Sequence, residues 1–170
     1  RIRGNQITEA SLIRLSCGLA EGQQLQADDT ARAIRNLYKL GMFSDIQILM
    51  DTDVGEGIAI EIVVAEYPKL GEVSFEGNKV LKNKKLKKKL GFIRGQFLSP
   101  QEEKRARNKI VELYREEGSL LAEVDSERGE PDEEGRVPLS FSVREGRKTN
   151  LKRIRFEGNE AFSDKKLRKQ

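Results

Sequence analysis

Three glycines divide this chain of 170 residues. Glu76-Gly77-Asn78 recurs as Glu157-Gly158-Asn159, and Gly4-Asn5 is the same dipeptide near the start. The glycines stand 73 and then 81 residues apart, and the likeness reaches well beyond them. Upstream, Leu70, Val73 and Phe75 hold the offsets of Leu151, Ile154 and Phe156. Downstream, Gly22 and Gly95 each follow their repeat glycine by 18 residues, and Leu25 and Leu98 keep a common offset. Leu37-Tyr38 recurs as Leu113-Tyr114, each followed by a glycine, Gly41 or Gly118. Val64 and Val143 come last, trailed two residues later by Glu66 and Glu145. Such a repeat obliges the chain to build one supersecondary plan more than once. The extra residues of the second copy fall in loops and at element ends, where insertions leave a fold intact. Units are therefore expected at 1–67 and 68–147, with the start of a third, truncated unit at 148–170.

Each unit reads as β-α-α-β-β. The opening strand alternates: Val73 and Phe75 with Glu72, Ser74 and Glu76, and Ile154 and Phe156 with Arg153 and Arg155. Alternation of period two means one buried face. Gly-Asn then breaks the strand, both residues tolerating positive φ. A first helix follows, with Thr8 and Ser163 as expected N-caps and Gly18 or Gly91 at its end; Leu86 and Leu90 share one face of it. The second helix opens on Ser99-Pro100-Gln101-Glu102, the capping-box spacing, and carries the stripe Ala106, Ile110, Leu113 and Tyr114. In the first unit the stripe is expected at Ala31, Ile34, Leu37 and Tyr38, and Gly41 and Gly118 are C-terminal glycines. Two strands finish the unit. The first is read at Ile46 and Ile48, and over residues 120–125 in the second copy, with turns at 51–57 and 126–135. The last alternates strongly: Ile58, Ile60, Ile62 and Val64, then Val137, Leu139, Phe141 and Val143. Pro138 cannot donate a ladder hydrogen bond and is expected at a strand end or an edge.

The simplest packing is α+β: a three-stranded mixed sheet covered on one face by two antiparallel helices, repeated in tandem. With 35% charged and 36% hydrophobic residues, several small domains with thin cores fit better than one large core. Three strands leave two edges, and no residue pattern supplies a cover for both.

Much chemistry is excluded by residue types. There is no histidine, so the commonest general base and zinc ligand is missing. Cys17 is the single cysteine, set among Leu15, Gly18 and Leu19, and reads as a small core residue. Acidic clusters at Asp28-Asp29 and Asp132-Glu133-Glu134 fall at a helix start and in a hairpin loop. No phosphate loop, nucleophile motif or metal spacing is present, so catalysis, cofactor and metal are not expected. There is no run of about 18 apolar residues for a membrane helix. The chain opens mid-pattern on Arg1-Ile2-Arg3-Gly4-Asn5, without a leader, and reads as a piece of a longer protein.

The run Leu37-Tyr38-Lys39-Leu40-Gly41-Met42-Phe43-Ser44-Asp45-Ile46 resembles the L-Y-x-x-G-x-F-x-D-V pattern of POTRA domains in BamA-type outer-membrane protein assembly factors. The repeated Phe-Glu-Gly-Asn element is the second mark, and the resemblance covers the whole chain. The second unit departs from it, with Gly118-Ser119-Leu120-Leu121-Ala122-Glu123 where the first has Gly-x-Phe-x-Asp. The resemblance implies a periplasmic array at the bacterial outer membrane, preceding a C-terminal membrane β-barrel. Such an array would receive unfolded outer-membrane β-barrel proteins and dock accessory assembly lipoproteins. POTRA arrays of two-partner secretion or translocation transporters are the alternative that it leaves open.

Two candidate surfaces follow. Clients could pair with an exposed sheet edge by β-augmentation. The expected edge strands are Asp45, Ile46, Gln47, Ile48, Leu49 and Met50, and Leu121, Ala122, Glu123, Val124, Asp125 and Ser126. The plain alternative is an ordinary edge, blunted by charges such as Asp45 and Asp51. The second surface is a basic patch: Lys79, Lys82, Lys84, Lys85, Lys87, Lys88, Lys89 and Arg94, with no acid among residues 79–94. The formal net charge is only +4, so the basicity is local. Such a helix could rest on an anionic lipid surface or simply be a solvated face. A nucleic-acid module is the rival class. Lysines are poor base readers, and only Phe92 interleaves with the run, so no nucleic acid is expected as partner.

Overall fold

A computed structural model describes residues 1–52, 55, 57–147 and 158. Apart from Gly158, the expected third unit, with Ile154, Phe156 and the cap at Ser163, lies outside the described residues. In chain order the elements are β1 (Ile2–Arg3), α1 (Ala10–Cys17), α2 (Asp29–Lys39), β2 (Phe43–Asp51) and β3 (Ala59–Glu66), then β4 (Lys69–Glu76), α3 (Asn83–Leu90), α4 (Pro100–Glu116), β5 (Glu123–Arg128) and β6 (Arg136–Arg144). They form two three-stranded mixed sheets, ordered β1-β3-β2 and β4-β6-β5. In each, the last strand is central, parallel to the first strand and antiparallel to the hairpin partner. The α+β βααββ plan expected from the repeat is the observed one.

The Gly-Asn element is repeated for a steric reason. Gly4 and Gly77 have φ of 86° and 76°, and a Cβ on either would overlap a carbonyl oxygen of the central strand, that of Val64 or Val143. No side chain can stand there. The neighbouring amide then closes the loop: Asn5 Nδ2 donates to Thr8 O at 2.9 Å, and Asn78 Nδ2 to Leu81 O at 2.7 Å. Thr8 thus occupies the buried loop position of Leu81, and it is not the helix cap. The caps are Glu9 and Lys82, neither with a side-chain hydrogen bond. In contrast, the capping box of α4 forms as expected, Ser99 accepting from the Glu102 N–H.

Both helices of each set pack on one face of the sheet. Ile13, Cys17, Ala33, Leu37, Phe43, Ile46, Ile62 and Val64 form the first core. The stripe on α2 is Ala33, Ile34 and Leu37; Ala31 and Tyr38 are exposed. The Leu-Tyr dipeptide misled by one residue. Counted back from the helix-stopping Gly41 and Gly118, with φ of 69° and 85°, Tyr114 takes the place of Leu37 and is fully buried. The second core replaces aliphatics with rings: Phe75 and Phe92 stack on Phe141 with centroids at 5.6 and 6.4 Å. In the first copy Ile2 and Leu19 hold the same offsets from the repeat glycine as Phe75 and Phe92, and Ile62 precedes Val64 as Phe141 precedes Val143.

Two further expectations are corrected. The strand read over residues 120–125 begins at Glu123 and runs to Arg128, so residues 126–128 are strand and not turn. Alternation failed there because the inward side chains are polar and partnered by α4: Ser126 Oγ and Arg128 Nε donate to Glu103 at 2.5 and 2.9 Å. Pro138 lies in the central strand of its sheet. It is tolerated because β4 bulges opposite it, two residues, Gly71 and Glu72, facing one. An edge cover is also present. Beside the start of β4, the Leu70 N–H donates to Gln96 O and the Gly95 N–H to Leu70 O, both at 2.7 Å. The Leu98 N–H donates to Pro68 O at 2.8 Å. The recurring Gly22/Gly95 and Leu25/Leu98 offsets were the available signal for this segment.

Candidate partner-binding edges and basic face

A sheet recruits an extended chain only where an edge strand is long, uncovered and little charged. With β1 only two residues long and β4 covered at its start, β2 and β5 are the long free-standing edges of the two sheets. All six residues 45–50 lie on β2, in unbroken antiparallel register with β3 from Asp45↔Ala65 to Met50↔Ile60. Ile46 is buried under α2, whereas Leu49 and Met50 are 46% and 56% exposed, leaving an apolar end on the strand. Asp45 accepts from Gln47 Nε2 at 2.8 Å. On the other edge, Glu123, Val124, Asp125 and Ser126 lie on β5, while Leu121 and Ala122 precede it. Glu123 and Asp125 both pair with Arg144 of the central strand, each at 3.0 Å, so this edge carries the blunting charge. The β2 edge is the longer, nine residues against six, with exposed Asp45 and Asp51 as the charges that it carries.

Two acids that the sequence marked only as repeat punctuation hold each unit closed. Glu66, at the end of β3, accepts the N–H groups of Gln6, Ile7 and Thr8 at 3.0, 2.8 and 2.7 Å. Glu145 accepts the Val80 N–H at 2.6 Å and the Tyr114 hydroxyl at 3.0 Å. Converging donors form a nest for a carboxylate. Burial pushes the Glu66 carboxyl up, but the hydrogen bonds from Thr8, Ile7 and Gln6 outweigh it and hold it below its ordinary 4.5. At Glu103, burial again raises and the bonds from Ser126 and Arg128, with the charges of Arg128 and Arg107, lower. Both folded values lie below the unfolded ones. Their contribution is therefore fully present above pH 4.5 and is lost as pH falls below it. The urea midpoint is expected to drop on acidification through this window, and Glu66→Gln to shrink that drop; an equal drop in the variant counts against the role of Glu66.

Tyr114 and Tyr38 offer a second check. Burial, followed by the Glu145 bond and charge, raises the Tyr114 hydroxyl above its ordinary 10.0. Tyr114→Phe removes a hydrogen bond to a charged group and is expected to cost about 1.5–3 kcal/mol. Tyr38→Phe is expected to stay within about 0.5 kcal/mol. Chemical denaturation of the two variants distinguishes them, and equal costs would refute the one-residue offset.

The eight basic residues are all exposed, and five of them, Lys84, Lys85, Lys87, Lys88 and Lys89, lie on α3. Lys85 pairs with Glu117 at 2.6 Å and Arg94 approaches Asp132 at 4.0 Å. Of the acidic clusters, Asp29 pairs with Arg32 at the start of α2. Asp132 accepts from the Glu134 and Arg136 N–H groups and from Arg136 Nε. Both acids organise local structure. Among the described residues no group of three or more Cys, Asp or Glu side chains is placed to hold a metal ion. Nor is any described helix long and apolar enough to cross a membrane.

Comparison with known proteins agrees with this geometry. Residues 68–146 match the POTRA family model, described as a surface antigen variable number repeat. Two solved structures share the fold. One is the N-terminal domain of Omp85 from Thermosynechococcus elongatus, with TM-score 0.60 and 24% identity, covering 85% of this chain and 60% of that one. The other is POTRA1-2 of the periplasmic domain of Omp85 from Anabaena, with TM-score 0.53 and 20% identity, covering 86% and 91%. The second βααββ set thus matches the POTRA family, and the chain shares the fold of tandem POTRA domains. Among the proteins that it is similar to are two BamA outer membrane protein assembly factors: that of Nitratidesulfovibrio vulgaris is 23% identical over 99% of this chain, and that of Neisseria meningitidis 27% identical over 100%. The chain spans about a fifth of the length of these relatives.

Proposed function

We propose that this chain is part of the periplasmic arm of an outer-membrane β-barrel assembly factor, and that its edge strands receive unfolded outer-membrane proteins by β-augmentation. The relatives' names and the periplasmic origin of the Anabaena structure support the setting. The observation that carries the mechanism is β2, a nine-residue edge strand with exposed Leu49 and Met50 at one end. Main-chain pairing is nearly indifferent to sequence, which suits a receptor for many clients. Each hydrogen bond nets only about 0.5–1.5 kcal/mol, so clients are held weakly and released. In this reading the units are bounded at 1–67 and 68–147, a third begins at 148, a membrane β-barrel follows in the full-length protein, and accessory lipoproteins dock along the arm.

The test is an amide NMR titration of the labelled chain with peptides copied from outer-membrane β-strands. Shifts running along residues 43–51, with smaller ones along 123–128, are the expected result. Silence in both strands at millimolar peptide, or shifts confined elsewhere, refutes the edge assignment.

A further inference from the structure

The placement of the lysines around α3 is costly for the fold itself. Cations at the C-terminal end of a helix suit its dipole, so Lys87, Lys88 and Lys89 in the last turn need no further explanation. Lys79, Lys82, Lys84 and Lys85 lie at the other end. There the dipole is positive, the first turn holds no acid, and the N-cap is Lys82, without a side-chain hydrogen bond. A neutral or acidic first turn would stabilise this helix more, as Ser99, Glu102 and Glu103 do for α4. Nor is most of the charge consumed among the described residues. Lys79, Lys82, Lys84, Lys87, Lys88 and Lys89 have no ion-pair partner among the described residues, only Lys85 and Arg94 being near a carboxylate. With Leu86 turned into the core, the five helical lysines sweep roughly 200° of the opposite circumference at 3.6 residues per turn.

Exposed aliphatic side chains flank this face at both ends of the helix. Val80 precedes α3 and is 39% exposed; Ile93 follows it and is 70% exposed. A soluble polyanion has no use for them. Phe92, which could stack on a base, is instead partly buried against Phe141. Lysine point charges with bare aliphatics beside them match a bilayer interface, where ammonium groups meet headgroup phosphates and a short apolar side chain enters the acyl boundary.

We propose that the α3 face of the second unit, from Lys79 to Arg94, docks on an anionic phospholipid bilayer, with Ile93 entering the interface. The proposal is independent of client binding, since β2 and β5 lie elsewhere in the fold.

The chain contains no tryptophan, so Ile93→Trp supplies a single reporter. The whole chain is floated with phosphatidylcholine vesicles, with and without phosphatidylglycerol. Binding only to the anionic vesicles, weakened by salt, is expected, together with a blue shift of the introduced indole. Lys84→Gln/Lys87→Gln/Lys88→Gln should weaken binding at least tenfold with an unchanged circular dichroism spectrum. Ile93→Ser should weaken it several-fold while leaving the salt dependence intact. Equal binding to both vesicles, survival of binding in the triple variant, or an unshifted indole overturns the proposal. So does equal affinity for an oligonucleotide or heparin with the indole unshifted, which would make the face a general polyanion binder.

Discussion

Phe141→Ala is expected to cost about 3–5 kcal/mol, the range for a buried ring removed without collapse of its site. Phe141 is fully buried at the centre of β6 and is stacked by Phe75 from β4 and by Phe92 from the loop after α3. Its removal strands both partners at once. A domain of this size holds only about 0.05–0.15 kcal/mol per residue, so the loss is a large part of its stability. The first unit has Ile62 at the matching place, and Ile62→Val should cost about 0.5–1.5 kcal/mol. Urea unfolding with amide exchange read separately over residues 1–66 and 69–144 checks this. A cost under about 1 kcal/mol for Phe141→Ala would show that the three rings are not the keystone of the second core.

Gly77→Ala has the second largest expected effect. Two penalties add: the left-handed backbone costs a non-glycine residue about 1–2 kcal/mol, and the new methyl strikes the Val143 carbonyl, which is backbone and cannot swing aside. A total above about 2 kcal/mol is expected. Gly91→Ala is the matched control, since Gly91 has a similar φ of 68° but open space around it. It should show the conformational penalty alone, about 1–2 kcal/mol. If the two variants unfold at the same denaturant concentration, the close approach of the Gly-Asn loop to the central strand is not what makes that glycine recur.

Features set by local physics were legible in the sequence. The βααββ order, the helix-ending glycines, the capping box at Ser99 and the alternating central strands all rest on rules spanning a few residues. Errors arose where a tertiary partner overrode the local pattern. Ser126 and Arg128 looked like turn residues because their partner, Glu103, is 23 and 25 positions away in the chain. Pro138 looked like an edge residue because the bulge that accommodates it is in β4. Tyr38 borrowed a role from Tyr114 that belongs one residue earlier. On the candidate site, residues 45–50 could be placed on a strand from their alternation, but that this strand stands at an edge follows only from which strand is central. The structural work of Glu66 and Glu145 was invisible for the same reason: their donors are far away in the chain, Gln6, Ile7 and Thr8 about sixty residues upstream of Glu66, and Val80 and Tyr114 upstream of Glu145.

The parallel pairing of first and last strands fixes the direction of travel. A chain that ended its unit beside an antiparallel first strand would leave where it came in, and successive copies would crowd around one point. Here β4 and β6 run the same way side by side, so the polypeptide enters at one pole of the unit and exits at the other. Strands of eight and nine residues at about 3.3 Å each carry it forward by roughly 25–30 Å per copy. Each further copy of such a unit adds one more such crossing to the path of the chain. Adding or deleting one copy should therefore leave the edge strands of the remaining copies intact.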